Sequence, residues 1–391
     1  MTLVEALGGW NSAVVLAGTA ALGVAAGTVG VFLLLRRRSL VSDALSHATL
    51  PGIAIAFMVG AWLGIEGRSL PLLLAGAAAS GALGVVTIQA ISRHTRLPED
   101  AAIGAVLSVF FGLGVVLLSY VQTLPSGGQA GIKTFILGQT AAMRAGEATA
   151  LGALALAAVA MVLLFFKELR LLAFDQGFAQ VQGWPAARLD LLLMALVTLV
   201  TVVGLQTVGL ILIIALLITP AAAARFWTDR LGLMTLISAV LGGLSGGIGA
   251  FLSARFADLP AGAVIVLVAA SLFLLSFLFA PARGVVARVV RHGLLRLRLA
   301  ESEELAAIAG GQPHPNRPLS AWLRLRGFTG SMGKLTMRGR IRADAALRNR
   351  LLWNRFIERY PAQLPGITDW GLAPIDRVLP PDLVRELEAG R

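Results

Sequence analysis

Long apolar runs recur along the first three quarters of the chain, and short polar or charged segments separate them. The runs fall near 12–35, 40–64, 70–91, 101–121, 146–166, 189–204, 207–224, 231–253 and 259–280. A helix needs roughly 20 apolar residues to cross the hydrocarbon core of a bilayer, which is about 30 Å thick. The pattern therefore predicts an all-α polytopic membrane protein with about eight to nine transmembrane helices.

The sixth and seventh runs are the shortest, and glycines interrupt the region that they share. Runs 189–204 and 207–224 lie next to each other, with Gly204 and Gly209 near the junction. They form either one long broken helix or a full span followed by a half-helix. Small residues are also dense at 76–81 and 242–249, which favours close approach of helix backbones in a compact bundle.

Basic residues collect on alternate connections between the runs. They are Arg36, Arg37 and Arg38; Arg93 and Arg96; Lys167, Arg170 and Arg188; Arg225 and Arg230; and the basic region after the last run. Lys and Arg favour cytoplasmic connections. With nine passes, all of these segments are cytoplasmic, the N-terminus is outside and the C-terminal region is inside.

The composition changes after the last apolar run. Residues 282–391 hold 19 Lys and Arg against 10 Asp and Glu, whereas residues 1–281 hold 14 against 11. We therefore expect a membrane domain over 1–284 and a small basic cytoplasmic domain over 285–391. A basic domain can contact nucleic acid, but its place beside a membrane favours proximity to anionic lipid.

Several kinds of chemistry are missing from the sequence. There is no cysteine, which excludes disulfides and thiolate metal sites. The segment closest to a phosphate-binding loop, 328–335, has Phe328 where the first glycine is needed and Leu335 where the magnesium-binding hydroxyl is needed. The motif H-E-x-x-H does not occur. The motif G-x-S-x-G occurs at Gly243–Gly247, but inside the apolar run 231–253, where the strand-to-helix turn that presents a nucleophilic serine is not expected. The sequence thus predicts no enzyme and no bound cofactor, and any ATP hydrolysis must come from another chain.

An acidic and an imidazole side chain stand four residues apart at the head of the second run. Asp43 and His47 would share one face of a helix, and Ser42, Ser46 and Thr49 add oxygen atoms nearby. An ionisable pair in a membrane span is costly and usually functional. Three interpretations stay open: a site for Zn(II), Mn(II) or Fe(II), a buried hydrogen bond joining helices, or a proton relay.

The connection 168–188 is amphipathic. It carries Phe174 and Asp175, followed by Ala179 and Gly183. A short helix lying across the membrane face fits this pattern. On spacing alone, docking onto a partner subunit and a simple interfacial connector are equal alternatives.

Several blocks together resemble a known family. They are SLVSDALSHATLPGIAIAF from Ser39, RLPEDAAIGAVLSVFFGLGVVLLS from Arg96, FILGQ at Phe135–Gln139, AFDQGFAQVQGW at Ala173–Trp184, VGLILIIALLITPAAAA at Val208–Ala224 and LSGGIGAFLSARFADLPAGAVIVLVAA at Leu244–Ala270. In this order they resemble the zinc/manganese/iron ABC transporter permease family, over about residues 5–285.

This resemblance implies a type II importer fold, like that of cobalamin permeases, in a bacterial plasma membrane. Two permease chains would form the path for manganese, zinc or iron, two cytoplasmic ATPase chains would drive it, and an extracellular metal-binding protein would deliver the ion. It assigns metal binding to Asp43 and His47. It makes Phe174, Asp175, Ala179 and Gly183 part of the cytoplasmic helix that docks on the ATPase.

Two alternatives come from other classes of protein. One is a proton-coupled secondary metal transporter that acts without an ATPase. The other is a membrane-tethered, metal-responsive regulator that acts through its C-terminal domain.

The C-terminal region bears a second, partial resemblance. Residues 335–388 are similar to the end of a winged-helix domain and the following helix of metal-dependent repressors, with Leu335-Thr336-x-x-Gly339 as the exit from the wing and Leu351–Tyr360 as the next helix. The metal-site histidines of such repressors are absent, since Asn349-Arg350 and Thr368-Asp369 stand in the neighbourhood. We therefore expect a degenerate domain that packs near the ATPase or serves as a regulatory or dimerising tail, without nucleic acid as a partner.

Overall fold

The computed structural model describes residues 10–63, 69–123, 140, 143–256, 259–311, 317–330, 333–360 and 374–389. Within these ranges the chain is almost entirely helical, and its one β feature is an isolated antiparallel bridge between Thr329 and Leu335. The chain divides into two compact units, Met1–Ala287 and Arg288–Arg391. The expected boundary at 284/285 stays a prediction. The helix Val285–Ala309 begins at that point and runs through the division between Ala287 and Arg288.

Eleven described helices build the first unit. They are α1 Trp10–Leu35, α2 Ser39–Trp62, α3 Leu70–His94, α4 Glu99–Thr123, α5 Ala145–Leu164, α6 Phe166–Phe174, α7 Gln176–Val181, α8 Ala186–Val208, α9 Leu210–Arg225, α10 Leu231–Arg255 and α11 Ala261–Phe279. Eight of them are long and apolar enough to cross a membrane, and α9 contributes a shorter apolar stretch, Leu212–Arg225. The prediction of about eight to nine membrane helices is confirmed for this part of the chain.

Helix α1 occupies the centre of the unit and packs against α5, α8, α9 and α10. Small residues allow its closest contact, since a Cβ placed on Gly23 would lie 2.0 Å from the carbonyl oxygen of Gly242 on α10. Thr19 and Ser238 then close hydrogen bonds between the same two helices, to Gly246 and Gly27 respectively. The compact bundle expected from the small residues is present.

A single glycine separates α8 from α9. Gly209 has φ 85° and ψ 169°, a conformation that is essentially confined to glycine. The chain folds back at this point, because a Cβ on Gly204 would lie 2.5 Å from Cδ1 of Ile213. Of the two arrangements that the sequence left open, the structure has a full-length helix followed by a shorter one.

One end of the bundle gathers the basic connections. The turn between α1 and α2, which contains Arg36 and Arg38, meets Asp190 of α8 and Glu99 of α4. Arg36 also lines a cavity together with Phe174 and Arg225, at the ends of α6 and α9. We call this end, where these six residues lie, the arginine face.

The second unit contains most of α12 (Val285–Ala309), followed by α13 Arg317–Leu325, α14 Met337–Arg359, α15 Ile375–Val378 and α16 Pro381–Glu388. One small core joins Leu305, Leu323 and Ala343, and a second is built around Trp353 and Phe356. The segment Leu351–Tyr360, expected as a separate helix, falls almost entirely within α14. Thr336 caps that helix by accepting a hydrogen bond from the backbone N–H of Gly339. The winged-helix resemblance stays a prediction.

Candidate functional site

Asp43 and His47 face each other on α2, as their four-residue spacing predicts. Oδ1 of Asp43 lies 3.4 Å from Nε2 of His47. The imidazole packs edge-on against the ring of Phe111 on α4, with 4.8 Å between ring centroids. Both residues lie in the half of α2 nearest the arginine face, because the helix runs from Ser39 to Trp62.

The polar atoms of His47 are incompletely satisfied. Its Nδ1 is buried and makes no hydrogen bond in the part of the chain that the structure describes. Its backbone carbonyl lacks the usual helical donor, because Pro51, four residues on, has no N–H. A buried donor or acceptor without a partner costs free energy, so this part of α2 is suited to receive a further polar partner.

The neighbouring hydroxyl residues point elsewhere. The side chains of Ser42, Ser46 and Thr49 are fully buried in the bundle. Each donates its hydroxyl to a backbone carbonyl of the same helix, those of Ser39, Ser42 and Ser46 in turn. They shape the packing of α2 and leave Asp43 and His47 as the side chains that present charge or an imidazole.

The pair lies on a stripe of α2 that the other described residues of the first unit leave partly uncovered. The Asp43 side chain is 39% exposed and that of His47 is 23% exposed. Leu40, Ile55, Val59 and Trp62 continue the exposed surface at three- and four-residue spacings, interrupted only at the buried Pro51. We call the surface formed by Leu40, Asp43, His47, Ile55, Val59 and Trp62 the open stripe.

Close packing holds the opposite side of α2 against α3. A Cβ placed on Gly52 would lie 2.0 Å from the carbonyl oxygen of Gly76, and one on Gly76 would lie 2.4 Å from that of Gly52. Ser80 adds a hydrogen bond from its hydroxyl to the carbonyl of Ala48. Because even a methyl group is excluded at this crossing, the direction of the open stripe is tightly fixed.

Among the described residues, the pair has no third ligand, because no group of three or more His, Cys, Asp or Glu side chains there could hold a metal ion. Carboxylate and imidazole suit Zn(II), Mn(II) and Fe(II). The described part of the chain therefore supplies two groups of suitable chemistry, Asp43 and His47.

The four residues of the amphipathic connection have distinct positions. Phe174 ends α6 and is exposed, whereas Ala179 lies within α7 and is fully buried. Asp175 caps α7 by accepting a hydrogen bond from the N–H of Phe178, at 2.9 Å. Gly183 ends the segment with φ 81°. The short helix α7 is therefore capped at both ends and held through Ala179.

The outer surface of α7 is apolar. Phe178, Val181 and Trp184 are exposed beside Phe174, and the Val181 side chain reaches 86% exposure. We call these four residues the α7 patch. Exposed apolar groups of this kind mark interaction sites when they are contiguous.

A buried ionic network connects α7 to the start of α2, and the sequence did not reveal it. Arg36 donates to the carbonyl of Leu172 and to Oε1 of Gln176, both at 3.1 Å, and to Oδ1 of Asp190 at 3.0 Å. Arg38 donates to the same oxygen of Asp190. Burial lowers the pKa of Arg36, and the charge of Arg38 lowers it further. For Arg38, burial is the largest single influence and lowers the pKa, but the hydrogen bonds and charges of Asp190 and Glu99 together outweigh it, so the pKa is raised.

The sequence held one signal for this network. Asp190 is a lone carboxylate near the start of an apolar helix, and it is only 4% exposed. A buried carboxylate requires a cation nearby, and Arg36 to Arg38 form a cluster of three. What the sequence could not supply was the contact itself, which joins residues 154 positions apart.

Comparisons with known proteins agree with this architecture. Residues 12–280 match the model of the ABC 3 transport family. The manganese transport system membrane protein MntC of Bacillus subtilis is 43% identical over 298 residues, covering 76% of this chain and 67% of that protein. The zinc transport system membrane protein TroC of Treponema pallidum is 43% identical over 278 residues, covering 71% and 92%. The chelated iron transport system membrane protein YfeC of Yersinia pestis is 33% identical over 287 residues, covering 73% and 90%.

Solved structures are similar as well. PsaBC from Streptococcus pneumoniae, in complex with Fab, aligns with a TM-score of 0.60 at 33% identity, over 71% of this chain and 94% of that one. A metal-chelate type ABC transporter in an inward-facing conformation shares the fold, with a TM-score of 0.52 at 18% identity over 67% and 84%. These matches confirm the resemblance of the sequence blocks to the permease family. One of those blocks, FILGQ, lies outside the described residues, and so does Thr368-Asp369 of the C-terminal resemblance. The chain therefore belongs to the ABC 3 transport family.

Proposed function

We propose that this chain is the membrane permease subunit of an ATP-driven importer for Mn(II), Zn(II) or Fe(II) in a bacterial plasma membrane. The observation that carries the proposal is the Asp43–His47 pair on the open stripe of α2. The manganese, zinc and iron systems to which the similar proteins belong support the class of ion. The ion is the transported substrate, and the chain holds no cofactor.

The two ligands would be completed by a second copy of the chain. A twofold axis beside the open stripe would bring together two carboxylates and two imidazoles, enough for four-coordination. Few ligands per chain also suit a transport site, because conduction requires binding weak enough to release the ion.

The membrane gives an independent reason for a second copy. Charged side chains inside a bilayer almost always face a bundle interior or a water-filled cavity. Asp43 and His47 lie on a face that the described residues of their own unit leave partly uncovered. In a monomer they would meet lipid, whereas in a dimer they would line a path between the subunits.

Energy would come from a separate ATPase chain that docks on the α7 patch. The sequence has no phosphate-binding loop of its own. The exposed Phe178, Val181 and Trp184 form an apolar surface on a capped, well-anchored helix. On this proposal the arginine face is cytoplasmic, the N-terminus lies outside, and an extracellular metal-binding protein delivers the ion to the opposite end.

The ionic network would transmit movement of α7 to the ion path. Arg36 touches α7 through Gln176 and α8 through Asp190. It lies in the short turn that precedes α2, and Asp43 follows four residues after the start of that helix. A displacement of α7 by the ATPase would thus reach the metal ligands through a few rigid contacts.

Uptake measurements test the metal role. The chain, co-expressed with its ATPase and binding protein, should accumulate radioactive manganese, zinc or iron, and Asp43→Ala or His47→Ala should abolish uptake while ATPase binding persists. Asp100→Ala and His94→Ala are matched controls, because both residues are exposed at the arginine-face ends of their helices. Normal uptake by both site variants would overturn the assignment of these ligands.

A second measurement separates this mechanism from proton-coupled transport. The chain is reconstituted into vesicles alone, and metal flux is followed under a pH gradient. We expect no flux until the ATPase and ATP are supplied. Flux driven by protons alone would contradict an ATP-driven importer.

A further inference from the structure

The first half of α12 carries an apolar stripe that the described residues leave exposed. Val286, Val289, Val290, Leu294 and Leu297 are all exposed. At roughly 100° per residue these positions fall within an arc of about 140° on one side of the helix. An exposed stripe of five aliphatic side chains is unfavourable in water and needs an apolar partner.

The rest of the same helical segment is strongly basic. Between residues 285 and 300 the chain has Arg288, Arg291, Arg296 and Arg298, together with His292, and no acidic residue. At helical spacing these cationic positions lie on the side opposite the apolar stripe or along its border. The combination of an apolar face with a cationic face is typical of helices that lie in the interface of anionic membranes.

The start of α12 is tied to the membrane-spanning part of the chain. Only residues 280–284 separate it from α11, the last apolar helix. The backbone N–H of Arg283 donates to the carbonyl of Phe226 at 3.1 Å, and its guanidinium pairs with Asp229. Gly284 donates to the carbonyl of Ala280, and a Cβ at Gly284 would lie 2.4 Å from that oxygen.

These contacts hold Val285 where α11 ends, next to the turn that follows α9. The basic segment is therefore tethered at the end of the last membrane helix, next to the membrane surface. Proximity of this kind greatly raises the effective concentration of the lipid partner.

We propose that residues 285–298 of α12 form an interfacial anchor that binds the surface of an anionic lipid bilayer. The aliphatic stripe enters the boundary between headgroups and acyl chains, and the arginines contact phosphate groups of anionic lipids. The inference goes beyond the transport role and does not depend on which cation is carried. It gives the basic second unit a fixed attachment at the membrane.

Site-directed spin labelling tests the anchor in the full-length protein. The native chain has no cysteine, so each single-cysteine variant carries one label. Val290→Cys and Leu294→Cys place the label on the stripe, whereas Arg288→Cys and His292→Cys place it on the cationic side. All four positions are exposed, so the substitutions should leave the fold intact, which elution as one symmetric peak would verify.

The labelled proteins are placed in nanodiscs of phosphatidylcholine with or without phosphatidylglycerol. In the anionic discs we expect the stripe labels to be accessible to oxygen and shielded from a water-soluble nickel complex, with the reverse at Arg288 and His292. The difference should shrink in pure phosphatidylcholine and at high salt, because the attraction is screened.

Three outcomes would overturn the proposal. Stripe labels as open to nickel as the cationic side would show a helix free in water. Stripe labels shielded from both reagents would show a protein partner on this face. Equal immersion with and without phosphatidylglycerol would remove the role of anionic lipid. None of these outcomes bears on metal uptake, so failure of the anchor and failure of the transport proposal are distinguishable.

Discussion

One carboxylate oxygen of Asp190 accepts hydrogen bonds from both Arg36 and Arg38, so that a single buried anion ties the α1–α2 turn to α8. Arg36 extends the tie to α7 through Gln176, and Arg38 extends it to α4 through Glu99. Removing one partner of a buried ion pair costs more than the pair itself contributes, because the remaining charge is left without compensation.

Asp190→Asn should therefore lower the stability of the membrane unit by on the order of 3–5 kcal/mol. The residue is 4% exposed, and its loss leaves two arginines facing each other. The measured quantity is the midpoint of thermal unfolding in nanodiscs, and size-exclusion chromatography detects the protein that remains folded at each temperature. Asp229→Asn is the matched control, because its pair with Arg283 is exposed and should contribute about 1 kcal/mol or less. Equal effects of the two variants would show that burial of the network has no energetic role.

The α7 patch gives a prediction about partner binding. Val181→Asp places a carboxylate at the most exposed apolar position of α7 and should weaken binding of the ATPase by about 2 kcal/mol or more, roughly thirtyfold in Kd. The fold should not change, since the Val181 side chain is 86% exposed. Affinity is measured by biolayer interferometry with the permease in nanodiscs. Gln182→Asp adds the same charge one residue away without removing apolar surface, and a loss of equal size there would attribute the effect to charge alone.

The sequence was sufficient for features that depend on neighbouring residues. Apolar runs of about 20 residues predict spans because every backbone polar group in lipid must be satisfied within its own helix. The four-residue spacing was likewise enough to place Asp43 beside His47.

Features built from distant residues were beyond the sequence. The tie between Arg36 and Asp190 needs the packing of α1 against α8, and the three consecutive arginines were equally consistent with a signal for orientation alone. Two glycines near the α8–α9 junction made the break visible but not its position, and the structure places it at Gly209. Neither residue spacing nor one folded chain identifies what covers the open stripe.

An exposed ionic cluster in the second unit leads to a pH-dependent prediction. Arg348 of α14 contacts Asp376 of α15 and Glu388 of α16, and its hydrogen bonds lower the pKa of Asp376 below the ordinary value of 3.8. Stability from a carboxylate with a lowered pKa is present at neutral pH and is lost as the pH falls through that lowered pKa. Because the cluster is exposed, its contribution should be about 1 kcal/mol or less and should decline in salt.

Arg348→Gln should accordingly make the second unit of the full-length protein more susceptible than the native protein to chymotrypsin at pH 7. At a pH below the lowered pKa of Asp376, the variant and the native protein should be equally susceptible to pepsin. Arg350→Gln is the control, because that arginine is exposed on the same helix and makes no ion pair with a described residue. The measured quantity is the rate at which the fragment containing α14 to α16 disappears. A difference between Arg348→Gln and the native protein that persists unchanged in acid would contradict a role for the Asp376 carboxylate.

A methyl group at the junction of α8 and α9 should strain the backbone itself. Gly209 has φ 85° and ψ 169°, and a residue with a Cβ is strained there by about 1–3 kcal/mol. Gly209→Ala should lower the unfolding midpoint and, because α9 packs directly on α1 and α2, should also reduce metal uptake. Gly152→Ala in α5 is the control, since a Cβ there meets open space and helix propensity favours alanine. If both Gly209→Ala and Gly152→Ala unfold at the midpoint of the native protein, the backbone at residue 209 can relax into a conformation that any residue adopts. In that case the fold-back between Gly204 and Ile213 would be held by packing alone.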